Sequence, residues 1–292
     1  MATLSFFAGV SRQEATFLRK GNCLTMIANV LSIAGTDPTG GAGIHADIKA
    51  FSAMGAYGMA AITAVVAQNT QGVRSFVALD PQFVGEQIDS VFDDVRVDAV
   101  KIGMVPNSSI AEVIADRLHY HGAKNIVLDP VMVAKSGDHL LEGNAVSAIR
   151  DFLVPLAMLI TPNLPEAGVL LNAHPVWTLD EMRLRVKELA KLGSEWVLLK
   201  GGHLEGSTQS VDLLYGSAGK IIEFAAPRIC TRNDHGTGCT LSAAIAALLP
   251  SKSVEESVRG AKAYLHGALA ASDTLDVGRG HGPLHHFHHL WK

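Results

Sequence analysis

The sequence has few charged residues, few cysteines and no long apolar run, and each scarcity excludes a class of protein. Charged residues make up 18% of the 292 residues and the net charge is −4, which gives no support for a nucleic-acid or membrane-surface partner. No apolar run reaches the ~18 residues that would span a bilayer. The three cysteines cannot form a disulfide framework, and their odd number fits a reducing compartment, so we expect a cytoplasmic protein.

Two nucleotide-binding signatures are missing as well. Gly41–Ala46 fits the dinucleotide fingerprint G-x-G-x-x-[GA], but this fingerprint needs an acidic residue about twenty positions later. After Asp47 the next acid is Asp80, so we do not expect an NAD site. The chain also has no G-x-x-x-x-G-K-[ST] loop, and any ATP must therefore be held in another way.

What is present is one region of globular composition. Hydrophobic residues make up 48% of the chain, and a protein of this size buries roughly three quarters of its unfolded surface without disulfides. No charge run or Ser/Pro linker divides it, so we expect a single domain, residues 26–292. Residues 1–25 carry a weakly basic balance without richness in serine, and we predict a loosely ordered extension. A transit peptide, or a true start at Met26, stays open.

Apolar runs of strand length alternate with segments of helical period. The runs show little polar alternation, which is typical of strands buried on both faces of a parallel sheet. They are Ile27–Ala34, Ala60–Ala67, Ala99–Ile102, Ile126–Leu128, Met158–Ile160 and Trp196–Leu199. Between them, apolar residues recur at helical spacing, as in the series Val84, Ile88, Val91 and Phe92. The pattern predicts an α/β protein with a mostly parallel sheet and helices on both faces.

A pair of shorter segments predicts an antiparallel hairpin at one edge of this sheet. Val211–Tyr215 and Lys220–Phe224 are joined by Gly216–Gly219, which has the composition of a turn.

Polar or small residues follow each of the six predicted strands. Open parallel sheets bind ligands beyond the carboxyl ends of their strands, so these residues predict a crevice at one edge. In chain order they are Gly35–Asp37, Gln68, Gly103–Met104, Asp129, Asn163 and Lys200.

The segment Asp234–Thr240, which reads Asp-His-Gly-Thr-Gly-Cys-Thr, predicts a turn that opens a helix from Thr240 to about Leu249. The first turn of a helix has unpaired N–H groups and carries the positive end of the macrodipole, so this turn is suited to hold an anion. The same groups favour a thiolate at Cys239, which makes this cysteine a candidate base. The alternative is a plain buried thiol.

Seven segments together resemble one family, the hydroxymethylpyrimidine/phosphomethylpyrimidine kinases of thiamine biosynthesis in the ribokinase-like superfamily. They are Ala34–Gly43, Val66–Thr70, Lys101–Met104, Asp129–Met132, Thr161–Ala167, Lys200–His203 and Asp234–Thr240. The resemblance runs from about Met26 to the C-terminus and implies a three-layer α/β/α fold. Most of that superfamily has an aspartate where this chain has Cys239, and a cysteine there is similar to the pyrimidine kinases and to some pyridoxal kinases.

The resemblance implies the roles of a phosphoryl-transfer site. Cys239 would accept the proton of the attacking alcohol, while Lys200 and the N–H groups at Gly236 and Gly238 would face the transferred phosphoryl group. The residues implied for ATP are Asp129, Asn163, Glu166, Lys200 and Thr237. Asp129 and Glu166 would also hold Mg²⁺ through water, since this ion needs only one or two carboxylates. The alternatives are a solvated strand-end lysine at Lys200 and a helix N-terminal acid at Glu166.

The substrate residues predicted in this way are Gln68, Asp47, Val66, Gly35 and Met104. The amide of Gln68 offers a donor beside an acceptor, which complements a ring nitrogen flanked by an amino group in an aminopyrimidine. A polar cap on the strand is the alternative for Gln68, and a surface acid is the alternative for Asp47. Met104 would pack on the face of the ring.

The function implied is ATP- and Mg²⁺-dependent phosphorylation of 4-amino-5-hydroxymethyl-2-methylpyrimidine and then of its monophosphate, by a homodimer. Two alternatives stay open at this point, a pyridoxal kinase of the same fold and a non-catalytic sensor that keeps the pocket. The five histidines between His281 and His289 resemble the native end of the family and are not expected to bind metal.

Overall fold

The computed structural model describes residues 26–132, 144–174, 178–202, 204, 208–216 and 218–291. The predicted extension, residues 1–25, lies outside the described residues, as do His203 of the Lys200–His203 segment and Ser217 of the predicted hairpin turn.

Eight strands of the described chain form one sheet, and a separate pair forms a hairpin. In chain order the strands are β1 (Asn29–Ala34), β2 (Tyr57–Ile62), β3 (Ala64–Asn69), β4 (Gly72–Ala78), β5 (Ala99–Ile102), β6 (Ile126–Leu128), β7 (Leu159–Ile160), β8 (Trp196–Leu199), β9 (Gln209–Gly216) and β10 (Ile221–Pro227). The sheet order is β10-β9-β8-β7-β6-β5-β1-β2, and β3 pairs only with β4. The strands from β8 to β2 in that order run parallel to one another. Strand β9 runs antiparallel to both of its neighbours, β8 and β10.

Helices cover both faces of the large sheet. They are α1 (Gly43–Ala53), α2 (Pro81–Phe92), α3 (Ser108–Tyr120), α4 (Ala145–Ala148), α5 (Leu164–Leu170), α6 (Leu179–Ala190), α7 (Thr237–Leu248) and α8 (Val254–Ala270). A π-helical segment, Ile149–Leu153, continues α4, and a 3-10 turn, Ser272–Thr274, follows α8.

Alternate residues of the central strands belong to two different cores. In β1, Leu31 and Ile33 pack with α2 to α6, whereas Val30 packs with α1, α7 and α8. Successive side chains of a strand point to opposite faces, so this division shows a sheet buried on both sides. The predicted three-layer α/β/α arrangement is confirmed, and so is the antiparallel hairpin at the edge, which is formed by β9 and β10.

The predicted strand Ala60–Ala67 is wrong as a single element. The chain turns at the buried Thr63, whose N–H still donates to Ala34 O, and whose hydroxyl donates to Met104 O at 2.7 Å. After this turn, β3 leaves the large sheet and pairs with β4 over the carboxyl ends of its strands. A continuous apolar run cannot reveal such a break, because both halves are equally suited to a strand.

The helix predicted from Thr240 begins three residues earlier, at Thr237. Gly236 precedes it with φ of +81°, in the left-handed region, and a Cβ on Gly236 would lie 1.8 Å from Gly41 O. Glycine is therefore required on both conformational and steric grounds. Among the described residues, no helix combines the length and apolarity that a membrane span needs.

Candidate active site

A cavity of about 450 Å³ opens at the carboxyl ends of the parallel strands, and we call it the first cavity. Its wall contains twelve of the thirteen residues predicted for the site. Those that follow strands are Gly35, Met104, Asp129, Asn163 and Lys200, and Glu166 lies in the first turn of α5. Val66 and Gln68 come from β3, and Gly236, Thr237, Gly238 and Cys239 come from the start of α7. The structure therefore brings together residues that lie up to 204 positions apart in the chain.

Asp47 is the exception, and the prediction that it lines the substrate pocket is wrong. The side chain is fully buried on α1 and is absent from the wall of the first cavity. Its Oδ2 accepts hydrogen bonds from Ser32 Oγ at 2.6 Å and from Lys101 Nζ at 2.9 Å. The residue points inward because α1 packs this face against the sheet, which a helix position alone does not indicate.

Lys200 lies between two carboxylates. Its Nζ is 2.8 Å from Asp129 Oδ1 and 3.8 Å from Glu166 Oε2, and its side chain is only 13% exposed. Burial favours a neutral lysine, but the carboxylates raise the pKa of Lys200 above its usual value. The solvated strand-end lysine considered above is therefore not what the structure shows.

Asp129 accepts hydrogen bonds from three side chains. In addition to Lys200, Thr161 Oγ1 donates to its Oδ1 at 3.0 Å and Ser242 Oγ donates to its Oδ2 at 3.3 Å. Although burial favours the neutral acid, Lys200 and Lys101 hold the pKa of Asp129 below its usual range. The residue therefore stays charged at neutral pH.

Glu166 and Asn163 form a capping box at the start of α5. Each side chain accepts the backbone N–H of the other residue, at 2.7 and 2.8 Å. Burial raises the pKa of Glu166 to about 7, with Lys200 acting against this rise and Asp129 adding to it. Glu166 therefore caps the start of α5 and also forms part of the cavity wall.

The first turn of α7 presents backbone N–H groups to the cavity. The first intrahelical bond runs from Thr240 N–H to Gly236 O, which leaves the N–H groups of Thr237, Gly238 and Cys239 ahead of the hydrogen-bond ladder. A Cβ on Gly238 would lie 3.2 Å from Lys200 Nζ. The turn and the ammonium therefore face the same space, as an anion site requires.

The glycine-rich loop after β1 is held against this turn by Asp37 and His235. Asp37 is buried, accepts the N–H groups of Gly41 and Ala42, and lies 2.8 Å from His235 Nε2. Burial alone would raise the pKa of Asp37, but the hydrogen bond with His235 and those from Thr39 hold it well below its usual range. His235 lines the first cavity, and the sequence interpretation gave it no role.

The expected thiolate at Cys239 is corrected by the structure. Burial raises the pKa of this thiol to about 11, and Asp47 and Asp129 add to the rise, whereas Lys101 and the N–H of Gly43 oppose it. Desolvation outweighs the effect of the helix N-terminus, so the thiolate form is disfavoured at neutral pH.

A second cavity of about 340 Å³ lies beyond Lys200. It shares Asn163, Lys200, Asp234, Thr237 and Gly238 with the first cavity. Most of the rest of its wall comes from β9, from the end of β10 and the segment that follows it, and from α8, and it includes Arg228, Lys262, Leu265 and His266. None of these four was predicted, because they do not form a short motif and meet only when the edge hairpin packs beside α8.

The C-terminal segment fixes the tip of the β3–β4 hairpin and the start of α7. His281 N–H donates to Thr70 O at 2.8 Å, and His281 Nδ1 lies 2.9 Å from Asp234 Oδ1. Farther on, His286 Nε2 is 3.1 Å from Thr240 Oγ1, and burial lowers the pKa of His286 to about 4. Across the described residues, no group of three or more His, Cys, Asp or Glu side chains is placed to hold a metal ion.

Two cavities that meet at a buried lysine and a glycine-rich helix start, on a ribokinase-like fold, define a phosphotransferase that acts on small molecules. The family described as phosphomethylpyrimidine kinase matches residues 37–285, and the chain belongs to this family.

Individual relatives agree with this assignment. The chain is 56% identical over 264 residues to the hydroxymethylpyrimidine/phosphomethylpyrimidine kinase of Salmonella typhimurium, which covers 90% of this chain and 98% of that protein. The crystal structure of phosphomethylpyrimidine kinase from Clostridium difficile is 41% identical, with a TM-score of 0.73 over 83% of this chain and 99% of that one. The pyridoxal kinase of Staphylococcus aureus in complex with AMP-PCP and pyridoxal is 29% identical, with a TM-score of 0.82 over 91% and 95% of the two chains.

Proposed function

We propose that this chain transfers a phosphoryl group from ATP to 4-amino-5-hydroxymethyl-2-methylpyrimidine and then to the resulting monophosphate, forming the diphosphate used in thiamine biosynthesis. The observation that carries the proposal is the common wall of the two cavities, where Lys200 and Gly238 face both. In this arrangement the first cavity takes the pyrimidine and the second takes the nucleotide. The 56% identity to a kinase of that name supports the choice of substrate.

Transfer of a phosphoryl group depends mainly on positioning and on neutralising charge. The acceptor oxygen attacks the γ-phosphorus, and the bond from this phosphorus to the leaving ADP oxygen breaks. Lys200 would face the transferred group from the shared wall, and the N–H groups at Thr237, Gly238 and Cys239 would receive its equatorial oxygens. Cys239 is the proposed acceptor of the hydroxyl proton in the first transfer, and its own S–H proton must leave to solvent before this step, against the pKa of about 11 that burial gives it.

The donor set around Lys200 fits a Mg²⁺ ion. The carboxylates of Asp129 and Glu166 both lie within 4 Å of the Lys200 ammonium, and buried carboxylate oxygens are ligands that Mg²⁺ takes in proteins. The oxygens of Asp129 already accept three hydrogen bonds, so contact through water suits it better than direct ligation. When bound with the nucleotide, the ion would neutralise phosphate charge.

We propose that the side-chain amide of Gln68 recognises the aminopyrimidine ring by hydrogen bonds to its edge. It lies on β3 above the first cavity, and Val66 of the same strand and Met104 supply apolar surface for the ring. Pyridoxal, the alternative acceptor, has no amino group beside a ring nitrogen, so the amide favours the pyrimidine. A non-catalytic sensor is disfavoured because it would have no use for a buried lysine held between two carboxylates.

We further propose that residues 26–292 act as one kinase domain and that the protein is a cytoplasmic homodimer. Eight of the described strands, from β1 at Asn29 to β10 at Pro227, share one sheet, and α7 and α8 pack on it, which supports the single domain. Val65 and Val77 are 51% and 67% exposed on the β3–β4 hairpin, and apolar exposure of this kind supports self-association.

The experiment that tests the function measures ATP consumption by the purified protein with Mg²⁺, offering hydroxymethylpyrimidine and pyridoxal in parallel. Mass spectrometry would identify the products. We expect a monophosphorylated and then a diphosphorylated pyrimidine. Phosphorylation of pyridoxal alone would overturn the role of Gln68, and turnover of neither acceptor would favour the sensor.

A further inference from the structure

The C-terminal segment lies against two elements that form the wall of the first cavity. Residues 278–286, which we call the C-terminal strap, contact the turn of the β3–β4 hairpin and the residues that lead into α7. Strand β3 carries Val66 and Gln68, and the start of α7 carries the N–H groups on the side of Lys200. The mechanism above assigns the strap no role.

Thr70 is the residue by which the strap holds the hairpin. It is buried in the turn between β3 and β4, and its carbonyl oxygen accepts the N–H of His281 at 2.8 Å. Its hydroxyl oxygen accepts the N–H of Gly280 at 3.1 Å. A Cβ on Gly280 would collide with the Thr70 carbonyl, so this close approach requires glycine. The strap therefore binds both the backbone and the side chain of the turn.

The next part of the strap holds the segment that leads into α7. Gly282 O accepts the N–H of His235 at 3.1 Å, and His281 Nδ1 lies 2.9 Å from Asp234 Oδ1. A Cβ on Gly282 would collide with Asn233 Oδ1, so the two segments are in close contact. His235 lines the first cavity two residues before α7 begins. The strap thus contacts the approach to the N–H groups that are proposed to receive the phosphoryl oxygens.

The far end of the strap is fixed to the helices α7 and α8. His285 N–H donates to Ala268 O at 3.1 Å, and Tyr264 Oη donates to His286 O at 3.0 Å. His286 Nε2 also lies 3.1 Å from Thr240 Oγ1 on α7. Because these contacts hold the strap to the helical layer, its position relative to α7 is defined, and the hairpin is held relative to that layer.

The hairpin depends on such external contacts for its own position. Among the described strands β3 pairs only with β4, and a two-stranded hairpin alone is marginally stable in water. The beginning of β3 is held by Thr36, whose N–H donates to Ala64 O at 3.0 Å and whose Oγ1 accepts the N–H of Val66 at 2.9 Å. Gln68 lies between this contact and the one at Thr70. The distance from Gln68 to α7 therefore depends on the strap.

We propose that the C-terminal strap sets the separation between the acceptor ring and the phosphoryl-binding turn, with Thr70 and His281 as positioning residues. The attacking oxygen must lie about 3–3.5 Å from phosphorus, and a displacement of about 1 Å can lower the rate by about 100-fold. The ring is held from β3 and the phosphoryl group from α7, so a segment bound to both fixes this distance. The effect on rate rests on the proposed function, whereas the mechanical connection between the hairpin and α7 does not.

The kinetic test cuts the two ends of the strap separately and together. Thr70→Val removes the hydroxyl that accepts from Gly280 but keeps the shape of the side chain, and His281→Ala removes the ring that contacts Asp234. Each should lower kcat for transfer to hydroxymethylpyrimidine by about fivefold and leave the KM for ATP unchanged. The double variant should lose well under the ~25-fold product, because both changes interrupt one connection. Thr70→Ser keeps the hydroxyl and should retain the original rate.

Hydrogen exchange of the protein without substrates measures the connection itself. Thr70→Val should speed amide exchange at residues 234–237 by about threefold or more, although the altered side chain lies in the hairpin turn. His281→Ala should in turn speed exchange in the β3–β4 turn, because coupling between two regions is reciprocal. The His281 side chain is 51% exposed, so its removal should not prevent folding, and thermal melting would check both variants.

Matched control variants alter the same residue types elsewhere. Thr274→Val removes an exposed hydroxyl from the 3-10 turn, and His119→Ala removes an exposed ring from α3. Neither residue lines either cavity, so both variants should keep the original rates and exchange pattern.

Non-additive losses in kcat, with faster exchange at both ends of the strap in each variant, would support the proposal. Additive losses, or exchange changes confined to the altered end, would overturn it by showing two independent contacts. Absence of pyrimidine turnover in the unaltered protein would contradict the proposed function, and the exchange measurement would still decide whether the strap connects the hairpin to α7.

Discussion

The two cavities differ in how they are built, although they share a wall. The first is made of residues at and after the ends of parallel strands, of residues on β3 and α5, and of the turn at the start of α7. The second is made of an antiparallel edge hairpin and one face of α8. Short motifs therefore mark the first cavity, whereas the second has no contiguous signature. A site at strand ends is encoded locally and a site between packed elements is not.

Charge also divides the two regions. The first cavity contains Lys101, Lys200, Asp129 and Glu166 in its wall, and all four side chains are largely removed from water. Apart from the shared Lys200, the second cavity contains one buried charged pair of its own, formed by Lys262 and Asp212. The difference suits their proposed occupants, because new charge develops where the phosphoryl group and acceptor oxygen meet, and not around the nucleoside.

Substitution of Lys200, which lines both cavities, should have the largest effect. We expect Lys200→Met to lower kcat of both transfers by about 100- to 1,000-fold, because it removes the cation facing the transferred group. Lys200→Arg should recover part of the loss. Steady-state turnover with both acceptors is the measurement, and a change confined to the KM of one substrate would show that the shared-wall model is incorrect.

Cys239→Ala should separate the two steps that occur in the first cavity. The alcohol must lose a proton, whereas a phosphate monoester has a second pKa of ~6 and is mostly deprotonated at neutral pH. We expect the first transfer to slow by about 100-fold and the second by less than about tenfold. Rates measured separately with the alcohol and the monophosphate provide the check. Equal losses would indicate that the cysteine acts through packing or through the anion site.

Gln68→Leu should weaken recognition of the acceptor without affecting the nucleotide. Loss of the paired hydrogen bonds should raise the KM for hydroxymethylpyrimidine by about tenfold, and the KM for pyridoxal should change less. Asn69→Ala is a matched control, because this neighbouring amide lies outside the wall of the first cavity. A similar loss with both acceptors would contradict the role in selecting the ring.

His266→Ala tests the second cavity on its own. Removing this part of the wall on α8 should raise the KM for ATP roughly fivefold, which corresponds to about 1 kcal/mol. The KM for the pyrimidine should stay the same. If acceptor binding weakens instead, the assignment of the two cavities is reversed.

Glu166 should affect the pH dependence of stability, an effect on folding that turnover measurements do not detect. Burial raises its pKa to about 7 from 4.5, so the folded state holds a proton that the unfolded state has lost between these values. Stability should therefore be highest at low pH within this window and fall as pH rises toward 7, by at most about 1.4 kcal/mol per pH unit. Urea unfolding from pH 5 to 8 measures this slope, and Glu166→Gln should flatten it. An unchanged slope in the variant would assign the effect to other groups.

Local sequence patterns were sufficient for the architecture and for most of the first cavity. Uniformly apolar runs identified the parallel strands, since a strand buried on both faces needs no polar alternation. Residues placed directly after those runs converge at one sheet edge, which is why Asp129, Asn163 and Lys200 could be grouped before any contact was known. The glycines around Cys239 likewise marked the start of a buried helix.

Tertiary packing settled the properties that depend on neighbours distant in sequence. It broke one apolar run at Thr63, turned Asp47 away from the cavity, and assembled the second cavity from the edge hairpin and α8. It also set the charge of the thiol, since a helix start favours a thiolate but burial beside two carboxylates raises the pKa of Cys239 to about 11. The physical reason is that hydrophobic period and turn chemistry act over a few residues, whereas desolvation and charge pairing depend on every group that the fold brings close.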